Sequence, residues 1–408
     1  MKSGLLGRKL GHSYSPEIHE FLGSYSYDLF EKEPEEVGNF VTNGDFTGIN
    51  VTIPYKKEVI PYLTELSPLA KRMGAVNTIV RRDDGSLFGH NTDYFGFSSM
   101  VQRSGISVTG KKVLVLGSGG ASNTAVKVLE DMGAYVIIIS RSGISNYENL
   151  HLHKDASVIV NCTPVGMYPH TGMAPLDLKA FPCLEGVLDM IYNPSRTRLL
   201  LDAEEMGLPH ENGLWMLVAQ AKEAAEYFGQ KPLADSIIET VYKKMSAKMQ
   251  NIVLIGMPGC GKSTIASMLA ENLGRRAVDA DQEIVKLAGK SIPEIFAEDG
   301  EETFRDLETQ VLEELGKQSQ LIIATGGGCV TKKRNYSLLH QNSIIFWLKR
   351  DLDKLPADGR PLSQITRMED MYRIREPLYT AFADYQIRNN GSCQETVQEI
   401  LTILEGNK

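Results

Sequence analysis

The chain has 408 residues, 42% apolar and 23% charged, enough to build about two to three domains at ~100–200 residues each. Its 51 acidic against 43 basic side chains give a formal charge of −8 with no long basic block, which argues against nucleic acid or an anionic membrane surface as partner. The five cysteines, at 162, 183, 260, 329 and 393, show no CxxC spacing, so neither a disulfide framework nor a zinc site is expected. Polar residues begin by Arg8, too early for a signal peptide, and no apolar run approaches the ~20 residues of a membrane span. These features predict a soluble cytoplasmic protein with small-molecule substrates as partners, compatible with a homo-oligomer.

Short strands alternate with helical periods along the chain, the pattern of α/β folds with mostly parallel sheets. Residues 1–100 form the first stretch and carry three polar clusters: GHSYSPEIH at 11–19, INVTIPYKKE at 49–58, and GAVNTIV with GHNTDYFGF at 74–80 and 89–97. Ser13 and Ser15 alternate, so both hydroxyls can face one carboxylate. Lys56 follows Pro54 at the end of an apolar stretch, where a partly desolvated amine and a solvated surface lysine are both admissible; Asp93 is its natural partner.

A compact βαβ unit follows, with strands at 111–117 and 135–140 around GSGGASNTAVKVLEDMG. Gly117, Gly119 and Gly120, with Ser118 and Ala121 in the same turn, let backbone approach a pyrophosphate. The second strand ends in Ser140-Arg141-Ser142, about 20 residues on, where an NAD site would place an acidic residue; an arginine between hydroxyls suits the 2′-phosphate of NADP. Further buried strands are expected at 156–162 and 186–191, helices at 215–228 and 234–249, and a short join at 246–250.

A new strand starts at Asn251, and residues 256–264 read GMPGCGKST. In this P-loop, glycines 256, 259 and 261 let N–H groups curl around phosphates, Lys262 reaches the β- and γ-phosphates of ATP, Ser263 ligates Mg²⁺, and Cys260 and Thr264 complete the loop. Cys260, at a helix N-terminus, is either a small loop-filling residue or an acidified thiol. Asp279 and Asp281 alternate, one for Mg²⁺ and one for an acceptor hydroxyl, and Arg305 and Glu308 stand i, i+3 on a helix. ATGGGCV at 324–330, GRPL at 359–362 and REPLY at 375–379 complete the pattern.

Residues 3–245 resemble shikimate dehydrogenases through SxSP (Ser13, Ser15), NVTxPxK (residues 50–56), AVNT (Asn77), NTD (Asp93), GSGGAS and GLWMLVAQA (residues 213–221). The resemblance implies a substrate domain at 1–100 completed by return helices at 214–245, and a Rossmann-like NADP domain at 101–213. It implies reversible hydride transfer between NADPH and 3-dehydroshikimate. Ser13 and Ser15 would bind the substrate carboxylate, and Asn77, Asp93, Thr52 and Gln220 the ring hydroxyls. Lys56 would be the acid/base, Tyr192 would lie near the substrate, and Met190 and Gly213 would line the nicotinamide. Where family members often carry a second basic residue after the Arg141 turn this chain has Ser145, and the stretch 143–155 looks shortened.

From Asn251 to about Leu404 the chain resembles shikimate kinases, which implies a parallel-sheet domain at 251–408 like the nucleoside monophosphate kinases. Arg305 and Arg375 would clamp the shikimate carboxylate, Gly327 would lie against the ring, and Asp281 would orient the attacking hydroxyl. Asp279 would hold Mg²⁺ through water, and Arg360 would close over ATP. The segment LKRDLDKLPADG at 348–359 looks shorter than the family norm and lacks a clear second arginine just before Arg360.

Overall fold

The computed structural model describes residues 2–11, 13–355 and 368–406. Three sheets occur in chain order. The first comprises β1 (Lys2–Gly7), β2 (Ser26–Glu31), β3 (Gly48–Val51), β4 (Glu65–Leu66), β5 (Thr78–Arg81) and β6 (Leu87–His90), in the order β2-β1-β3-β5-β6-β4. It is mostly parallel, as expected, with the exception of β5, which runs antiparallel to both β3 and β6. The reason is local. Only residues 82–86 separate β5 from β6, too few for a crossover, and Asp84 closes that turn by accepting the Ser86 N–H at 2.9 Å.

The second sheet is parallel throughout, in the order β11-β10-β9-β7-β8, with β7 (Lys112–Leu116), β8 (Tyr135–Ile139), β9 (Val158–Asn161), β10 (Gly186–Asp189) and β11 (His210–Glu211). The central strands β9 and β10 are buried on both faces, which explains their continuous apolar runs. The helix Asp93–Ser104 packs against the helix Leu214–Gly229 at Gly96, where a side chain would meet the Met216 carbonyl.

The third sheet, also parallel, has the order β13-β14-β12-β15-β16, from β12 (Asn251–Ile255), β13 (Arg276–Asp279), β14 (Leu321–Ala324), β15 (Ser343–Lys349) and β16 (Tyr385–Arg388). The chain leaves β12 for β13 on one side and, after β14, crosses to β15 on the other, so a crevice opens at the carboxyl end of β12, where α/β sheets bind ligands.

Contacts divide the chain into two units, with residues 1–165, 174–192 and 202–245 in the first and 166–173, 193–201 and 246–408 in the second. Residues 166–173 and 193–201, inside the stretch expected as a single dinucleotide domain, therefore group with the second unit. Within it the Arg196 N–H donates to the Gln341 carbonyl at 2.8 Å and the Arg196 guanidinium to the His340 carbonyl at 3.1 Å. The helix Ser236–Met249 continues through most of the expected join, and Arg275 binds the carbonyls of Ala247 at 2.7 Å and Gln250 at 3.0 Å, satisfying acceptors that a helix C-terminus leaves open. No helix among the described residues is long and apolar enough to cross a membrane.

Candidate active sites

The first unit encloses a cavity of about 280 Å³ at the carboxyl ends of β1 and β3. It gathers Ser13, Ser15, Thr52, Lys56, Asn77, Asp93, Tyr192 and Gln220, with Met190, Gly213 and Ala121 on the side of the glycine turn. Lys56 Nζ donates to Asp93 Oδ2 at 2.5 Å. Asp93 is the first residue of its helix, where the free N–H groups and the dipole favour a carboxylate. Its other oxygen accepts from the Asn77 amide at 2.9 Å, and Asn77 Oδ1 takes the Thr92 N–H at 2.7 Å. The pair is thus held by a buried frame. The amide oxygen of Gln220 accepts from the Thr92 hydroxyl at 3.4 Å, which ties the helix Leu214–Gly229 into the same frame.

At the other end, Ser15 opens the helix Ser15–Leu22 and its N–H donates to Ser13 Oγ at 3.2 Å, and both residues line the cavity. Tyr14 meets Tyr192 edge to face at 6.3 Å, and burial raises the Tyr192 phenol above its ordinary pKa. Behind the wall stands a polar set that the sequence reading did not single out. The Tyr27 hydroxyl donates to Asn50 Oδ1 at 2.7 Å, and Asn50, itself lining the cavity, donates to the Asn77 carbonyl at 3.2 Å. His19 stacks on Tyr27 with ring centroids 3.9 Å apart, and burial pushes its pKa down to about 3. The available signal was a polar Asn50 within an otherwise apolar strand.

The dinucleotide turn leaves β7 at Gly117, whose φ of 107° is the left-handed conformation that favours glycine. A side chain there would sit 3.2 Å from the Cys162 carbonyl, whereas Gly119 and Gly120 face open space. The turn, with Ser118 and Ala121, feeds the N-terminus of the helix Gly120–Asp131. Register pairs Leu116 with Ile139, and the Gly117 N–H bonds the Ile139 carbonyl at 2.8 Å, so Ser140, Arg141 and Ser142 emerge beside the turn. Ser145 folds back, its carbonyl accepting the Ser140 N–H at 3.2 Å and its hydroxyl meeting His153 Nε2 at 3.1 Å.

The second unit holds a cavity of about 720 Å³ at the end of β12. Gly259, Gly261, Lys262, Ser263 and Thr264 face it from the P-loop, with Asp279, Asp281, Arg305, Gly327 and Arg375 around the rim. Gly261 caps the helix Lys262–Leu273 at φ 96°, and a side chain there would meet the Asn389 amide at 3.0 Å. Lys262 Nζ donates to the Gly256 and Met257 carbonyls at 2.9 and 3.0 Å. Ser263 Oγ donates to Asp279 Oδ2 at 2.6 Å. Cys260 is fully buried and its side chain does not line the cavity, which favours the loop-filling role over a reactive thiol. Arg360 lies outside the described residues.

Arg305 is buried and forms an ion pair with Glu308 at 2.7 Å, while burial raises the Glu308 carboxyl against the opposing pull of that arginine. The triple glycine is dictated by space. A side chain on Gly326 would come within 2.7 Å of both Asp281 Oδ1 and Glu308 Oε1, on Gly327 within 2.7 Å of Pro258, and on Gly328 within 2.2 Å of the Arg305 guanidinium. The Gly327 carbonyl accepts from Arg375 at 3.1 Å and from the Tyr379 hydroxyl. Tyr379 closes the REPLY motif, whereas Asn389 is a further support that no local pattern announced; it donates to the Cys260 carbonyl at 2.6 Å and so braces the P-loop.

An acid/base pair beside a dinucleotide turn and a P-loop facing two arginines define an oxidoreductase and a phosphotransferase in one polypeptide. The family model for the shikimate dehydrogenase substrate binding domain matches residues 5–79, and that for shikimate kinase matches residues 258–405. The shikimate dehydrogenase (NADP(+)) of Clostridium perfringens is 35% identical over 60% of this chain and 98% of its own length. The crystal structure of shikimate dehydrogenase 1 from Peptoclostridium difficile is 37% identical with a TM-score of 0.55, covering 60% of this chain and 97% of that one. The Thermus thermophilus enzyme in complex with NADP(H) and shikimate is 30% identical, TM-score 0.53, over 60% of this chain and 99% of that one. The chain belongs to the shikimate dehydrogenase family and carries a shikimate kinase domain at residues 258–405.

Proposed function

We propose that the chain catalyses two consecutive reactions, reduction of 3-dehydroshikimate to shikimate with NADPH and phosphorylation of shikimate to shikimate 3-phosphate with MgATP. The observation that carries this reading is that each cavity holds the charges its own step requires: Lys56 with Asp93 in one, Lys262 with Arg305, Arg375 and Asp281 in the other. The reading is supported by the dehydrogenase relatives and the kinase match given above. The five cysteines are all free, which fits a reducing cytoplasm.

In the first site Ser13 and Ser15 take the substrate carboxylate, and Thr52, Asn77, Asp93 and Gln220 hold ring hydroxyls. Bound NADPH supplies the hydride, and the ketone oxygen becomes an alkoxide. The Lys56 ammonium gives that oxygen its proton, and Asp93 aims the lysine. The open space at Gly119 and Gly120, at a helix N-terminus, fits the cofactor pyrophosphate, and Arg141 with Ser140 and Ser142 fits its 2′-phosphate. Met190 and Gly213, on the cavity wall beside the glycine turn, would line the nicotinamide, and Tyr192 would lie near the substrate.

In the second site Arg305 and Arg375 fix the shikimate carboxylate, two guanidinium groups setting orientation as well as charge. Asp281 directs the acceptor hydroxyl, and Gly327 leaves room for the ring. Lys262 exchanges its carbonyl partners for phosphate oxygens. Ser263 and Asp279 are hard oxygen donors 2.6 Å apart and fit Mg²⁺, which when bound neutralises charge on the phosphates.

The test is a pair of single variants. Lys56→Ala should abolish NADPH-linked reduction and spare ATP-dependent phosphorylation, and Asp281→Asn should do the reverse. A folded single variant lacking both activities would refute the two-site assignment.

A further inference from the structure

The P-loop follows β12 at the centre of its sheet, and most acceptor-side residues come from one flank, Asp279 and Asp281 after β13, Arg305 on the helix between β13 and β14, and Gly326–Gly328 after β14, while Arg375 reaches the acceptor side from the helix Met368–Phe382 that follows β15. A nucleotide whose terminal phosphate faces that flank must send its nucleoside end toward the other, over the carboxyl ends of β15 and β16. Arg350 stands there, immediately after β15. Its Nη1 lies 4.0 Å from where a Cβ on Gly261 would be, beside Asn389 at 3.0 Å from the same point.

Arg350 differs from the cations around it. Lys349 is saturated by Glu376 at 2.8 Å, and Asp351 next door pairs with Lys354. Among the described residues no hydrogen bond or ion pair is made by Arg350, and its Nε is buried with no partner. A buried donor left unmatched is costly and rare in folded proteins, and a guanidinium held against a phosphate-binding loop is chemically matched to a phosphate oxygen.

We propose that Arg350 is a nucleotide-binding residue of the kinase site, donating to the α-phosphate of the bound nucleotide. The proposal rests on the kinase reading above and adds a contact from the opposite flank of the P-loop.

The experiment measures MgADP binding to the full chain by calorimetry for the wild type, Arg350→Gln and Arg350→Lys, with adenosine as a competing ligand. Loss of one charge-assisted bond predicts a dissociation constant for MgADP about 10- to 100-fold weaker in Arg350→Gln, less so in Arg350→Lys, with adenosine binding unchanged. The NADPH-linked reaction, run in the same preparation, reports that the chain is folded. Equal MgADP affinity in all three proteins would overturn the proposal. A matching loss for adenosine would also overturn it, by placing the guanidinium on the base. A wild-type chain that fails to bind MgADP would overturn the kinase reading along with it.

Discussion

Lys56 Nζ donates to Asp93 Oδ2 at 2.5 Å, and the remaining oxygen of Asp93 is occupied by Asn77 at 2.9 Å, so the carboxylate has no freedom to turn away from the lysine. Replacing Asp93 by Asn keeps the shape and removes the charge that aims the ammonium. Loss of aimed acid catalysis predicts a kcat for reduction about 10²-fold to 10⁴-fold lower. The KM for NADPH should stay within a factor of two, because Asp93 lies in the cavity away from Arg141. Steady-state kinetics with each substrate varied in turn checks this.

The kinase site makes a steric prediction. Gly328→Ala places a methyl group 2.2 Å from the Arg305 guanidinium, which cannot retreat because Glu308 holds it in a buried pair. The KM for shikimate should rise by about tenfold or more, the value of one weakened charge-assisted bond. MgATP affinity should be unchanged, and a loss of nucleotide binding instead would place Arg305 on the wrong ligand.

The proposed NADP site leaves cofactor choice to Arg141, since Ser145 is folded back onto Ser140 and His153. Arg141→Ser should raise the KM for NADPH about tenfold or more while leaving that for NADH within a factor of two. Parallel titrations with the two cofactors distinguish this from general weakening of the dinucleotide turn.

Much of both sites was legible because their residues sit in short local motifs whose spacing is set by one turn, as in residues 256–264, or one extended segment, as in Ser13 and Ser15. What escaped is non-local. Tyr27 reaches Asn50 across two strands, and Asn389 reaches the Cys260 carbonyl from 129 positions along the chain. Neither pairing leaves a periodic or motif signal. The antiparallel β5 was missed for a different reason: the turn residues Asp84 and Gly85 were present, but the reading followed the alternation of strands and helices around them.

His19 makes stability of the first unit depend on pH. Its pKa is about 3 when folded against an ordinary 6.5, so protonation favours the unfolded chain. The contribution is present in full above pH 6.5 and lost as pH falls toward 3, at about 1.4 kcal/mol per pH unit. Lowering the pH from 7.5 to 5.0 should therefore cost about 2 kcal/mol from this residue alone. Urea inactivation of the reductase should shift to lower denaturant at pH 5.0, and His19→Asn should show a smaller shift between the two pH values.

The most direct measurement is mass spectrometry of the products formed by the purified chain from 3-dehydroshikimate and NADPH, with and without MgATP. Two working sites predict shikimate alone without ATP and shikimate 3-phosphate with it. Shikimate in both reactions, or no reduction in either, would contradict the account.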